Sequence, residues 1–249
     1  MTGLAENWLT DGIAGVLSLL FPIRCAGCDR VDQPELCDKC RSLLRWLDPE
    51  QGCPRCGRPF CEEEIGFRRP CSACWEHAPS FAQAVAAAEY TDPLSKVITL
   101  WKYQDQRYLS DVLAELLRDW VASHAPAWWE KIEAIVPVPH HPKALRARGF
   151  SPPEELSKRL SASFALPYMP RVVYKIRHTL PQACLDAAAR RMNVHASMKV
   201  FDPPLVEGRV LLAVDDVMTT GATLSECARA LIEAGASKVY CLALARQSH

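Results

Sequence analysis

The chain has no net charge to spend on a partner of one sign: 29 Lys and Arg balance 29 Asp and Glu over 249 residues. No uninterrupted apolar run approaches the about 18 residues that a membrane-spanning helix requires. The first residues have neither a basic start nor a small-residue cleavage site, so they do not read as a secretory signal. Instead Leu4, Trp8, Leu9, Ile13, Val16, Leu17 and Leu20 make an apolar stripe interrupted by Glu6 and Asp11, which predicts an amphipathic helix over 1–21. There is no low-complexity tail, and no internal repeat beyond paired cysteines. A globular protein of the cytoplasm is the expectation.

Cysteine is abundant, and its distribution carries information. Nine of the 12 cysteines fall between Cys25 and Cys74, and eight of those make four Cys-x-x-Cys pairs. In a reducing compartment such clustering points to metal rather than disulfides. Cys25 and Cys28 with Cys37 and Cys40 form one four-thiolate set, and Cys53 and Cys56 with Cys71 and Cys74 a second, each suited to a structural Zn²⁺. Interleaved pairing, first with third, is a less economical alternative, and redox dithiols are another. Gly27 and Gly57, with Ala26 and Ala73, suit the tight turns of such knuckles. Cys61 and His77 are left over. Cys184, Cys227 and Cys241 sit in apolar or helical surroundings and read as small core residues.

Three zones follow: the leading helix over 1–21, a Cys- and Pro-rich module over 22–77, and an α/β region over 78–249. In the last zone, strands are expected over 84–90, 133–138, 171–176, 209–215 and 238–245, and helices over 94–101, 109–123 and 223–234. A further helix follows Ser151, with Pro152 in its first turn and Glu154 three residues after the cap, a capping-box arrangement. Gly235 closes the helix before the last strand. Alternation of strand and helix predicts a mostly parallel sheet.

The apolar run Leu211-Leu212-Ala213-Val214 suits a strand covered on both faces, and it delivers Asp215 and Asp216 to the carboxyl end, where open α/β sheets bind ligands. Thr219-Thr220-Gly221-Ala222-Thr223 then leads into a helix, so free N–H groups, hydroxyls and the helix dipole can surround a phosphate. Two carboxylates beside a phosphate cradle need another task, such as accepting hydrogen bonds from ribose hydroxyls and supporting Mg²⁺. The spacing favours a sugar phosphate. Residues 139–200 hold 11 Lys and Arg against 3 Asp and Glu, a basic stretch suited to an anion.

The run Asp215, Asp216, Val217, Met218, Thr219, Thr220, Gly221, Ala222, Thr223 resembles the 5-phosphoribosyl-1-pyrophosphate (PRPP) motif of type I phosphoribosyltransferases. The whole chain resembles the ComF (competence protein F) or GntX-like family, a zinc ribbon followed by a phosphoribosyltransferase domain. The four Cys pairs, Trp101-Lys102-Tyr103, Val136-Pro137-Val138-Pro139, Arg148-Gly149-Phe150, Arg177-His178-Thr179-Leu180-Pro181-Gln182, Arg191-Met192-Asn193 and Ala245-Arg246 also carry that resemblance.

It implies a type I phosphoribosyltransferase fold, with a mostly parallel sheet and helices on both faces. It also implies that Asp215 and Asp216 hold the ribose hydroxyls and that Thr219 to Thr223 bind the 5-phosphate. Pro139, His140 and His141 would lie near pyrophosphate, with Arg146 and Arg148 assisting and Lys102 added by the family pattern. The stretch from Arg177 to Arg191 resembles the hood loop, whose cations would serve catalysis over PRPP and Mg²⁺. Two departures stand out: Ser151-Pro152 occupies the place of the family's Asn-Gln, and Thr219 replaces the acidic residue of purine-salvage relatives, which lowers a purine acceptor.

Three functions follow from the resemblance. The chain transfers phosphoribosyl to an acceptor, senses PRPP without turnover beside the DNA-uptake machinery, or binds single-stranded DNA through 139–200. The zinc module itself has 9 basic and 9 acidic residues over 22–75, and each Zn(Cys)₄ adds about two negative charges. Docking or folding is therefore its expected role, with Trp46, Phe60 and Trp75 expected to cover the metal sites rather than stack on bases.

Overall fold

The computed structural model describes residues 23–31, 33–61, 69–103, 106–177 and 192–247. The expected leading helix lies outside the described residues. Two one-turn helices come first, α1 (Asp38–Ser42) and α2 (Ser72–Glu76), each beginning at the second pair of a Cys set. Then follow β1 (Gln83–Glu89), α3 (Leu94–Tyr103), α4 (Leu109–His124), β2 (Ala134–Pro137), α5 (Pro142–Arg148), α6 (Pro152–Phe164), β3 (Val173–Lys175), β4 (Met198–Val200), β5 (Val210–Met218), α7 (Ala222–Glu233) and β6 (Lys238–Arg246).

The central sheet has the order β1-β6-β5-β2, and every pairing is parallel. Strand alternation divides its side chains between two cores. Ile135, Leu212, Val214 and Leu242 face α3, α4 and α6, whereas Val136, Leu211, Ala213 and Cys241 face α7 and the β3-β4 ribbon. Both faces are thus covered, as an all-parallel sheet requires.

The Cys-rich module straddles edge strand β1. Cys25, Cys37 and Cys40 join one core, and Cys53, Cys56, Cys71 and Cys74 join the other. Between the sets, Trp46 bridges Ala88 in antiparallel fashion, with Leu47 N–H on the Ala87 carbonyl and Glu89 N–H on the Arg45 carbonyl. The open edge of the sheet is closed by the module itself. Cys227 and Cys241 are buried in the core as expected, Cys61 is exposed, and Cys184 lies outside the described residues.

Three expectations need correction. The expected strand over 171–176 shrinks to Val173–Lys175, and it pairs antiparallel with β4, a strand that was not foreseen, outside the main sheet. Its one-sided pattern explains this: Val173 and Val200 are buried while Tyr174 is exposed against Phe201 at 5.3 Å between ring centroids. A strand buried on one face suits an antiparallel ribbon lying on α7 rather than the interior of a parallel sheet. Second, Ser151 precedes α6 but makes no side-chain cap. With Pro152 and Pro153 occupying the first two helical positions, one of the two amides that a cap hydroxyl serves is missing, and the Ser151 hydroxyl instead meets His140 Nδ1 at 3.3 Å. Third, Trp75 does not cover a metal site: 79% of it is exposed.

Candidate functional site

β5 runs three residues beyond Asp215, to Met218, whereas its neighbour β2 ends at Pro137, opposite Val214. β6 keeps pace with β5, pairing Asp215 with Ala243 and Met218 with Arg246. The two acids therefore sit in a regular strand on one flank and beyond the end of the sheet on the other. Both are nevertheless buried.

Alternation sends the two carboxylates into different company. Asp216 Oδ1 accepts from Lys102 Nζ at 2.5 Å, and Asp216 Oδ2 is buried without a hydrogen-bond partner among the described residues. Burial alone would raise the Asp216 carboxyl, but the charge and hydrogen bond of Lys102, with the charge of Arg148, outweigh it and hold the group below the ordinary value. Asp215 Oδ1 accepts its neighbour's backbone N–H at 2.9 Å. Burial, with the Asp216 charge beside it, pushes Asp215 up to about 7. The strand thus carries one carboxylate held ionised and one poised to titrate near neutrality.

The cations come from separate elements that lock together. Lys102 is the penultimate residue of α3, whose Trp101 is fully buried, donates through Nε1 to Ser110 Oγ at 2.8 Å and packs on Phe150 at 5.8 Å. Arg148 ends α5 and lies over the Tyr103 ring at 5.3 Å. Gly149, at φ +79°, turns the chain from α5 toward Phe150, and a Cβ there would run into Arg107 Nη2. The two aromatic-basic motifs are therefore one structural unit facing Asp216.

His140 is pulled down to about 4 by burial, with Arg148, Lys102 and Lys175 adding to the effect and Asp216 opposing it. It is a neutral imidazole at pH 7, able to exchange hydrogen bonds but not to neutralise an anion. Pro139 precedes it, one residue beyond Val138, which follows the end of β2, while His141 caps α5 by accepting the Lys143 N–H at 3.2 Å.

Beyond Met218, Gly221 at φ +78° is the N-cap of α7, and Ala222 N–H reaches Thr220 Oγ1 at 3.4 Å. The first-turn amides of this 12-residue helix have no carbonyl of their own helix to bond. Asp215, Val217, Met218, Thr219, Gly221, Ala222 and Thr223 line one small concavity there. Asp215, Asp216, Lys102, His140 and Arg148 thus gather at one rim of the sheet, with the 219–223 turn beside them. Arg177 lies near the β3-β4 ribbon, its Nη2 on the His195 carbonyl at 2.5 Å. Arg191 and the rest of the expected hood, 178–191, lie outside the described residues.

Sequence reasoning missed Lys175, whose largely buried ammonium on β3 faces the Asp215 charge and is lowered by burial. It also missed the Glu226–Arg229 pair on α7. Glu226 accepts the Met198 N–H at 3.1 Å and Arg229 Nη2 donates to the Met198 carbonyl at 3.2 Å, so β4 is tied to the helix that begins at Gly221. The Lys next to the end of the 171–176 run was a legible signal. The Glu-x-x-Arg pair reads from sequence only as ordinary helix support.

The two Cys sets assemble as adjacent, not interleaved, pairs, and the four sulfurs of each lie within 4.8 Å of one another. Tetrahedral Zn–S bonds of about 2.3 Å require sulfur–sulfur edges of about 3.8 Å. Cys25–Cys40 at 3.7 Å, Cys28–Cys37 at 3.8 Å and Cys56–Cys71 at 3.8 Å meet that requirement. Both sets fit structural zinc ribbons.

The double zinc ribbon domain family matches residues 16–75, and the phosphoribosyl transferase domain family matches residues 144–249. The chain is similar to competence protein F of Haemophilus influenzae, 32% identical over 231 residues covering 90% of this chain and 96% of that protein. It is also similar to the DNA utilization protein YhgH of Escherichia coli K12, 30% identical with 76% and 82% covered, and to competence protein ComFC of Bacillus subtilis, 24% identical with 81% and 79% covered.

Proposed function

From the premise that this chain belongs to the competence protein F family, joining a double zinc ribbon to a phosphoribosyltransferase domain, we propose that it binds PRPP with Mg²⁺ at the β5 rim and transfers phosphoribosyl to an acceptor. The division at 77/78 between ribbon and transferase is part of this reading. The observation that carries it is Asp216: a buried carboxylate held ionised by Lys102, with its second oxygen unpartnered among the described residues. Buried polar atoms are rarely left without partners unless a water, an ion or a ligand completes them.

Asp215 and Asp216 accept from the ribose hydroxyls, and the turn from Thr219 to Thr223 holds the 5-phosphate through hydroxyls and helix amides. Pro139 and His140 border the pyrophosphate, where a neutral His140 donates or accepts without adding charge. Arg148, with Arg177 and Arg191 of the hood, meets the charge that builds on pyrophosphate as the bond to ribose C1 breaks through an oxocarbenium-like transition state. Oxygen ligands from the acids and from PRPP suit a hard divalent ion, and bound Mg²⁺ would supply further neutralisation of the leaving group. Thr219 offers no carboxylate to a purine, so an acceptor of another class is favoured.

The relatives' names, competence protein and DNA utilization protein, support a role for this chain in DNA uptake, beside uptake proteins or single-stranded DNA. Calorimetry with PRPP and Mg²⁺ tests the site. Saturable heat that is lost in the Asp215→Asn/Asp216→Asn variant is expected, and absence of heat at millimolar ligand defeats the reading. Pyrophosphate release upon adding acceptors then separates an enzyme from a sensor.

A further inference from the structure

The second Cys set and the turn after β5 face one another across a single cavity of about 360 Å³, lined by Cys56, Cys71 and Cys74 on one side and by Thr219, Thr220 and Gly221 on the other. Arg246 also lines it. This last residue of β6 is only 5% exposed. Its Nη1 donates to the Cys56 carbonyl at 2.7 Å and lies 3.2 Å from Met218 Sδ, while Nη2 lies 3.7 Å from Cys56 Sγ. Met218 is the register partner of Arg246 on β5, and its carbonyl accepts the Gln247 N–H at 2.9 Å. One guanidinium therefore touches a metal ligand and the residue immediately before the turn.

Burying a guanidinium is unfavourable unless opposite charge is near. Among the described residues, the acceptors that Arg246 holds are a carbonyl, a thioether and a thiol sulfur, and its Nε is buried with no partner. The matching charge is that of the loaded ribbon, because four thiolates around one divalent ion carry about two negative charges. With the ion in place, Cys56 Sγ holds the guanidinium electrostatically, and the guanidinium holds Met218. Gly221 reinforces the connection: a Cβ there would meet Met218 Cε at 2.5 Å, so the turn packs directly on the side chain that Arg246 touches. The first Cys set has different neighbours, with Gly27 packed against Pro93 and Arg41 bonded to Glu115 of α4 at 3.2 Å.

We propose that Arg246 is a positioning residue that couples metal occupancy of the Cys53–Cys56–Cys71–Cys74 site to ligand binding at the turn from Thr219 to Thr223, so that zinc at this one site and PRPP strengthen each other's binding. The proposal rests on the PRPP reading above. Because coupling between two binding sites is reciprocal, it can be read from the metal.

The test follows zinc release from the full chain into a colorimetric chelator, with and without saturating PRPP and Mg²⁺, with Cys40→Ser and Cys74→Ser assigning the two release phases. PRPP is expected to slow release from the second site severalfold and to leave the first unchanged. Arg246→Gln is expected to remove the slowing and weaken PRPP binding, whereas Arg246→Lys, which keeps the charge, restores part of both. PRPP that binds but slows neither phase, or slows both alike, overturns the coupling and leaves the PRPP reading standing. Failure of the unaltered chain to bind PRPP overturns both. If Arg246→Gln does not fold, the two release phases of the unaltered chain still decide the matter.

Discussion

Lys102 Nζ lies 2.5 Å from Asp216 Oδ1, and both side chains are largely buried, at 15% and 7% exposure. A lysine near the end of an amphipathic helix is ordinarily a solvated residue, and here it is the counter-charge of a carboxylate on the central strand. Taking one partner away leaves the other charge uncompensated inside the protein, a loss of about 3–5 kcal/mol for pairs of this kind. Lys102→Met should therefore be destabilising in urea unfolding by about that amount. The double variant Lys102→Met/Asp216→Leu should recover most of the loss, because two apolar groups replace the pair. A double variant as unstable as the sum of its single changes would show that the pair is not coupled.

Asp215 carries the opposite signature. Its folded-state value is raised to about 7 from 3.8 by burial and by Asp216. Between those two values the folded chain holds this proton more readily than the unfolded chain, so the stability owed to the group falls as pH rises through the window and stays low above it. Asparagine can keep the hydrogen bond from the Asp216 N–H and carries no charge at any pH. Asp215→Asn should thus be more stable than the unaltered protein, with an advantage that grows from pH 4 to 7 and then levels off. At 1.36 kcal/mol per pH unit its upper bound is about 4 kcal/mol. Thermal unfolding of both proteins from pH 5 to 8 checks this, and a difference that does not change with pH would refute it.

The metal sites predict a stoichiometry and a stability effect. Each set buries at least three of its four cysteines, and without an ion those sulfurs lose the interaction that organises the short knuckles around them. Purified protein should hold two equivalents of zinc. Stripping both should cost several kcal/mol, and at about 2–4 °C per kcal/mol for a chain of this size the midpoint should fall by about 10 °C or more. Because the segment from Arg45 to Leu47 closes the edge of β1, the stripped protein should also aggregate through that edge. Metal analysis, calorimetry and light scattering read the three effects. A stripped protein with an unchanged midpoint would exclude a structural role.

What could be read from the sequence divides along physical lines. The continuous apolar run before Asp215 specified a strand buried on both faces, and the Cys spacing specified two sulfur clusters; both are local patterns. Lys102 was reached only through family resemblance, since its role depends on α3 delivering it across the sheet rim to β5. Ser151 misled because its hydroxyl had a nonlocal alternative in His140 once Pro153 removed an amide. β4 was invisible because three residues buried on one face only, Met198 and Val200 against exposed Lys199, are too short a period to separate from a loop. Arg246 lay just past the expected strand over 238–245 and entered only through the family motif Ala245-Arg246, and its contact with Cys56, 190 residues away in the chain, follows only from the module's seat on β1.

That seat can be probed with glycines of like conformation and unlike surroundings. Gly57 at φ +67° and Gly208 at φ +71° both adopt the left-handed region, where a side chain costs about 1 kcal/mol. A Cβ on Gly208 meets nothing within 4 Å, whereas a Cβ on Gly57 would stand 2.6 Å from the Ala84 carbonyl oxygen. That oxygen belongs to β1, whose Ala84 N–H bonds the Arg55 carbonyl at 2.7 Å, so the knuckle and the strand cannot separate without losing the contact that joins them. Gly208→Ala should lower stability by about 1 kcal/mol, and Gly57→Ala by that amount plus the about 1–3 kcal/mol of an overpacked contact. Gly57→Ala should also speed zinc loss from the second Cys set and leave the first unchanged. Equal losses of stability in the two variants would mean that the second knuckle does not rest on the sheet edge.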